Sequence, residues 1–362
     1  MKKMKLLFIL LYCLCYSLSA IEIKQLREIT LSQDKENFIK WPGSFIVTGD
    51  DMFFVFDSKS SNIKIYNDTG KLVKIFGRFG MGPDEFVKPY LSAYKEPFVL
   101  IGDFGRKTFF IYRRTSSDSL EFVRKFLHLN MAHDFHLIAD NKLLVAGYKL
   151  TNSHKAYHLY EYDFNNNQYE FILPSEISYG FNSYNKFRKE YDEKLCYIGL
   201  FQYIDFSDDS IYLVWTGDIK IIKIDRKTKK YTFFGQKTEN YVQPYVTPGI
   251  RKAYYERKNI LIFQLQRDMS YVRDIFVFKS KKVGVVYVGP FKKNIKASVM
   301  VQIYSDKCEL IKEFEVMNAT ASHHYELFSY FKKDKNLLYI LDTETSAELD
   351  QFHKIHEFRI EE

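Results

Sequence analysis

A chain of 362 residues is long enough for two ordinary domains or for one closed repeat architecture. Hydrophobic residues make up 46% and aromatics 17%, enough to fill a large core, which excludes a disordered chain. The formal charge of +8 is spread over interleaved Lys, Arg, Asp and Glu rather than gathered in a stripe, so no nucleic-acid partner is expected.

Residues 1–20 place Lys2, Lys3 and Lys5 before an apolar run from Leu6 to Tyr16 and then small residues. That pattern reads as a signal peptide, too short to span a bilayer as a stable helix. Export is therefore expected, to a periplasmic or extracellular location, with residues 21–362 as one mature domain. Tyr12 and Leu14 precede Cys13 and Cys15, where lipidation needs a small residue, so no lipid anchor is expected. No later apolar run is long enough for a transmembrane span. Cys196 and Cys308 remain after cleavage, and their places at opposite ends of blade-like units favour two unpaired thiols.

The excess of Tyr and Phe, 28 and 33, favours strands. Ile63–Phe76 (IKIYNDTGKLVKIF) aligns without gaps on Val301–Phe314 (VQIYSDKCELIKEF), and both read as two alternating strands around a polar turn. Looser versions occur at Phe109–Phe126, Leu159–Ile172 and Ile219–Phe234. They begin roughly 45 to 80 residues apart, the spacing of propeller blades with insertions. Each has an apolar strand upstream, and Phe53–Phe56, Phe98–Gly102 and Leu337–Leu341 run directly into Asp57, Asp103 and Asp342. The last unit lacks one strand, while Ile21–Leu31 alternates without a unit of its own. Pairing the two closes a ring and removes exposed sheet edges. The expected fold is all-β: a six-bladed β-propeller closed by an N-terminal strand, with one or two short helical insertions.

Those helices are expected at Ser183–Leu195, where Phe187, Tyr191 and Leu195 recur every four residues, and from Thr247-Pro248. Ile260–Leu265, Ile275–Phe278 and Val283–Val288 supply more strand-like sequence than one blade needs.

The segment Phe76–Phe86 (FGRFGMGPDEF) followed by Pro89 resembles the NHL-type six-bladed β-propellers, in particular the exported bacterial ones, whose blades end in such a loop. The specific residues of the resemblance cover only about 53–89, and Phe234-Gly235-Gln236 is a remnant of the same loop. In this reading Gly77, Gly80 and Gly82 turn the chain between blades, Phe79 and Phe86 plug the joint, and Asp84-Glu85 accept backbone N–H groups. The same loop offers Arg78, Asp84 and Glu85 as ligand-binding candidates on the top face. Asp57, Asp103 and Asp342 join them as strand-end carboxylates, and Arg106 as a basic group among Phe104 and Phe110 suited to an acidic glycan or peptide. The bland role of the aspartates is to cap turns.

Spacing supplies no catalytic set. There is no G-x-S-x-G, and histidines three apart, as in His133/His136 and His353/His356, point to opposite faces of a strand. No cofactor is expected. The leading expectation is a binding module for a protein, peptide or glycan ligand on the top face. The alternative is a metal-assisted hydrolase or lyase, with a divalent cation held by channel carboxylates.

Overall fold

Strands such as Phe53–Asp57 are apolar at every position but the last, the signature of a strand covered on both faces. In the computed structural model each such strand feeds two cores at once. Phe53 and Val55 pack in one cluster with Phe45, Tyr339 and Ile355, while Phe54 and Phe56 pack in another with Ile65, Val99 and Phe110. The structure describes residues 21–34, 37–127, 132–151, 155–174, 202–244, 268–292, 296–320, 327–343 and 353–362, with positions 248, 249, 252 and 256.

The architecture is the expected six-bladed β-propeller. Blade I contains β2 (Pro42–Val47), β3 (Phe53–Asp57), β4 (Asn62–Tyr66) and β5 (Leu72–Phe76), in that spatial order. The short strands β6 (Arg78–Phe79) and β7 (Glu85–Phe86) form a separate parallel pair in the connection that follows. Blade II is β8 (Pro89–Lys95) to β11 (Ser119–Leu127), with β9 (Phe98–Asp103) and β10 (Thr108–Ser116) between. Blade III holds β12 (Ala132–Ala139), β13 (Lys142–Leu150), β14 (Ala156–Asp163) and β15 (Gln168–Pro174). Blade IV holds β16 (Gln202–Phe206), β17 (Ser210–Trp215), β18 (Asp218–Asp225) and β19 (Tyr231–Phe234). Blade V holds β20 (Tyr271–Val277), β21 (Val283–Lys292), β22 (Lys296–Tyr304) and β23 (Leu310–Thr320).

Blade VI closes the ring. β24 (Leu327–Lys332), β25 (Leu337–Thr343) and β26 (His353–Glu361) are completed by β1 (Glu22–Thr30), which runs antiparallel to β26 from the Glu22/Glu361 pair to Thr30/Lys354. The innermost strands β2, β8, β12, β16, β20 and β24 neighbour one another in turn, and β24 returns to β2. Six apolar clusters fill the joints between successive blades, so the core is a ring of wedges around the central channel.

The recurring hairpins are the outer halves of blades, and Ile275–Phe278 and Val283–Val288 resolve into β20 and β21. Pro248, Gly249 and Lys252 are helical, in keeping with the second expected insertion. The expected helix at Ser183–Leu195, the segment Ile260–Leu265, Cys196 and residues 1–20 lie outside the described residues. Cys308 occupies the β22–β23 turn with φ 69° and forms no disulfide. Among the described residues no helix is long and apolar enough to cross a membrane.

Ile29 of β1 is buried in the cluster between blades VI and I. Ile29→Ala is expected to cost about 2–5 kcal/mol. Deleting Ile21–Leu31 should lower the melting temperature of the whole ring in one transition, followed by circular dichroism. An unchanged melt would show β1 to be a mere appendage.

Candidate functional site

The residues proposed from the glycine loop come together, and their polar atoms are spent on the chain itself. Arg106 donates to the carbonyls of Met81 (2.8 Å), Gly82 (2.8 Å) and Glu85 (2.7 Å), and its guanidinium lies 4.7 Å over the Phe110 ring. Glu85 accepts the Gly82 N–H at 2.7 Å and pairs with Arg78 at 2.9 Å. Tyr112 donates its hydroxyl proton to the Pro83 carbonyl at 2.7 Å. Gly77 sits at φ 81°, and a Cβ there would run into the Phe86 ring. Phe86 plugs the joint as expected, edge-on to Phe110 at 5.8 Å. Phe79 does not: it is 73% exposed, because the β6–β7 pair turns its side chain outward while Phe86 fills the space. Asp84 is exposed on the same loop.

Asp57 and Asp103 are equivalent turn fasteners. Asp57 accepts N–H groups from Lys40 (2.8 Å), Trp41 (3.1 Å), Lys59 (3.2 Å) and Ser60 (3.1 Å), and the Lys64 ammonium at 2.7 Å. Asp103 accepts those of Val87 (2.8 Å), Lys88 (2.9 Å) and Arg106 (3.1 Å). Each ties the incoming inner strand to the turn between its blade's second and third strands. Burial works to raise the Asp57 carboxyl, but the Lys64 charge and the N–H donors hold it below the usual carboxylate range. Its stabilising effect is thus present above about pH 4 and is lost as pH falls through the folded-state value. Asp342 stands apart in blade VI, its Oδ2 3.9 Å from His356 Nε2.

A different set of side chains lies at the centre. An innermost strand has a partner on one side only, so half of its backbone groups face the channel and need donors or acceptors from elsewhere. Three aspartates repeat one solution. Asp134 takes the N–H of Phe135 (2.8 Å) in its own strand and of Ile204 (2.9 Å) in blade IV. Asp205 takes those of Phe206 (2.7 Å) and, in blade V, Val277 (2.6 Å). Asp274 takes the N–H of Ile275 (2.8 Å) and the hydroxyl of Ser329 (2.6 Å) in blade VI. The exposed carbonyls are met by cations and an imidazole: His136 Nε2 lies 2.7 Å from Ile204 O, and Lys333 donates to Phe206 O at 3.1 Å. Burial, and the mutual repulsion of these carboxylates, raise Asp274 well above the ordinary value; burial likewise raises Asp134 and Asp205.

β-Bulges set the mouth of the channel. The pairing registers of β2, β8, β12 and β20 slip near their starts, which leaves Gly43, Tyr90, His133 and Arg273 as extra residues at matching places. A bulge re-aims the side chain it carries. Tyr90 packs directly against Gly43, where a Cβ would lie 2.9 Å from its Cα. Arg273 hydrogen-bonds Tyr203 of β16, its Nε is buried without a hydrogen-bond partner, and among the described residues no carboxylate pairs with it. Burial lowers His133 to about 4 and, with His133 adding to it, His158 to about 3, so both imidazoles are neutral in the folded chain. His158 stands edge-on to Trp215 at 5.2 Å across the joint of blades III and IV. Among the described residues no three His, Cys, Asp or Glu side chains are arranged to hold a metal ion.

No family model matches the sequence, and no curated protein matches it. The fold does match solved structures. A member of the DUF4221 family from Bacteroides vulgatus ATCC 8482 is similar over 94% of this chain and 98% of that one, at 12% identity and a TM-score of 0.64. A candidate exported protein from Bacteroides fragilis NCTC 9343 is similar over 94% and 96%, at 12% identity and a TM-score of 0.55. At such identities the likeness establishes the fold, a six-bladed β-propeller.

An acid whose folded-state pKa is raised costs stability as pH climbs above about 4. Asp274→Asn keeps an acceptor for Ile275 and a donor for Ser329, and removes that cost. The variant is expected to melt a few degrees higher than the parent at pH 7, roughly 2–4 °C per kcal/mol gained. The gap should close below about pH 4, in melts at the two pH values.

Proposed function

We propose that the chain is an exported binding module, akin to the NHL-type propellers, that recognises an acidic peptide, protein segment or glycan at the channel mouth. The observation that carries this reading is Arg273, a bulge-presented cation beside the Tyr203 hydroxyl, whose Nε is buried without a hydrogen-bond partner and which pairs with no carboxylate among the described residues. The residue is half-buried, and a guanidinium N–H shut off from water without an acceptor is costly until one meets it. Arg106, the cation first suggested by the sequence, already spends its guanidinium on three backbone carbonyls of the adjoining loop. The neighbouring Tyr203 and Tyr271 supply ring faces of the sort that orient sugars and peptides. Support for export comes from the leader-like residues 1–20 and from the exported-protein candidate that shares the fold.

A metal-assisted hydrolase or lyase would need carboxylates with oxygens to spare. Asp134 and Asp205 each hold two N–H donors, and Asp274 one N–H and one hydroxyl, which suits framing a channel better than activating water. Binding by a rigid ring with diverged connections asks for nothing more than this geometry.

The test is titration with an oligoglutamate peptide and an oligogalacturonate, each against a neutral counterpart. Arg273→Gln is expected to weaken binding of whichever acidic probe is held by tenfold or more, as loss of a charged hydrogen bond implies. Its melting temperature should stay close to the parent's. Equal binding by parent and variant, or binding of neutral and acidic probes alike, would remove Arg273 from the site.

A further inference from the structure

Twelve large apolar side chains stand exposed among the described residues, and they divide cleanly by position. Leu26, Val73, Ile75, Phe122, Val123, Tyr231, Phe233 and Ile311 belong to outermost strands, where the rim of any propeller meets water. The remaining four are Trp41 (39% exposed), Phe79 (73%), Met81 (69%) and Phe104 (50%). All four lie in connections on the top side of blades I and II.

Their backbones are pinned. The Trp41 N–H is fixed to Asp57 at 3.1 Å and the Phe104 N–H to the Lys88 carbonyl at 2.9 Å. The Met81 carbonyl is held by Arg106 at 2.8 Å, and Phe79 is paired through β6 with β7. Ser61 donates to the Val87 carbonyl at 2.8 Å and so joins the turn behind Trp41 to the loop that carries Phe79 and Met81. Around them Lys40, Lys59, Arg78, Lys88 and Lys107 are exposed, while Asp57, Asp103 and Glu85 are turned into hydrogen bonds; among the described residues of these connections, Asp34 and Asp84 are exposed acids. Lys40 and Lys88 lay their ammonium groups over the rings of Phe38 (5.5 Å) and Tyr90 (5.8 Å).

From this we infer that the top of blades I and II docks on the surface of an anionic phospholipid bilayer, with Trp41, Phe79, Met81 and Phe104 entering the headgroup boundary and the surrounding cations meeting lipid phosphates. Projecting apolar tips ringed by cations suit a soft, flat, negatively charged surface. A protein partner is the weaker fit, because lysine is depleted in protein interfaces and dominates here. This sector lies across the ring from the mouth residues Tyr203 and Arg273 of blades IV and V, so a docked ring would keep its ligand site separate from the lipid contact.

Protein starting at Ile21, which contains all six blades, would be mixed with phosphatidylcholine vesicles with and without phosphatidylglycerol and sedimented. Binding is expected only with the anionic lipid, weakening as salt rises and by roughly fivefold for each of Lys59, Lys88 and Lys107 changed to Gln. The chain has two tryptophans, and Trp215 is 6% exposed, so a blue shift of emission on adding vesicles reports Trp41 and should vanish in Trp41→Phe. Phe79→Ser with Met81→Ser should lose vesicle binding while still binding the acidic probe, which keeps this inference separable from the ligand reading. Absent binding to anionic vesicles, binding untouched by the double variant, or displacement of the vesicles by a soluble acidic protein would overturn it.

Discussion

Everything in this ring depends on how its innermost strands satisfy their inward edges. Six strands stand around an axis, each hydrogen-bonded on one side, and each would leave backbone N–H and C=O groups bare along the channel. Asp134, Asp205 and Asp274 answer for three of the six by spanning to a neighbouring blade. Elsewhere Lys332 does comparable work from blade VI, donating to the Thr48 carbonyl at 3.0 Å and to that of Gly49 at 2.7 Å in blade I. Lys95 reaches from blade II to the Ile138 carbonyl of blade III at 3.3 Å. Hydrophobic wedges supply the bulk of the attraction between blades, but they are non-directional. The polar stitches fix how far one blade may rotate against the next.

The same economy explains why the obvious motif is not the obvious site. The glycine loop after blade I, with its Glu85, and Asp103 and Arg106 of the β9–β10 turn are knit to one another by hydrogen bonds within the joint. Such knitting makes a good hinge pin and a poor ligand trap. At the channel mouth the balance is reversed, since bulges push Arg273 and His133 out of the regular alternation and leave the arginine's Nε unsatisfied. Sites collect where the regular pattern is broken and polar groups are left with capacity.

Much of the ring was legible in the residues. Strands buried on both faces announce themselves as unbroken apolar runs, and the polar turns between Tyr66 and Leu72 or Tyr304 and Leu310 mark hairpins, so β3–β5 and β22–β23 could be read directly, while β20 and β21 were left as surplus strand-like sequence. Closure by Ile21–Leu31 followed from a missing strand at one end and a surplus one at the other. The turn-fastening role of Asp57 and Asp103 was visible because each ends an apolar strand. Asp134, Asp205 and Asp274 were not, since a lone aspartate inside a short strand has no spacing signature and its cross-blade partner lies 55 to 72 residues away. Arg273 was hidden by its bulge: alternation along Tyr271–Val277 assigns it to the wrong face. Phe79 misled for the opposite reason, because an aromatic in a glycine loop reads as a plug unless the neighbouring Phe86 is known to occupy the space.

The pairing of β1 with β26 has a temporal side. Glu22 lies against Glu361, so the contact that completes the circle joins residues almost the whole chain apart, and the entropy of bringing them together must be met after the other blades exist. A polypeptide emerging from its N-terminus would carry β1 as an unmatched ribbon until the final segment is delivered. Until β26 has been made and paired with β1 the ring cannot lock shut, so closure waits on the pairing that spans the greatest length of chain.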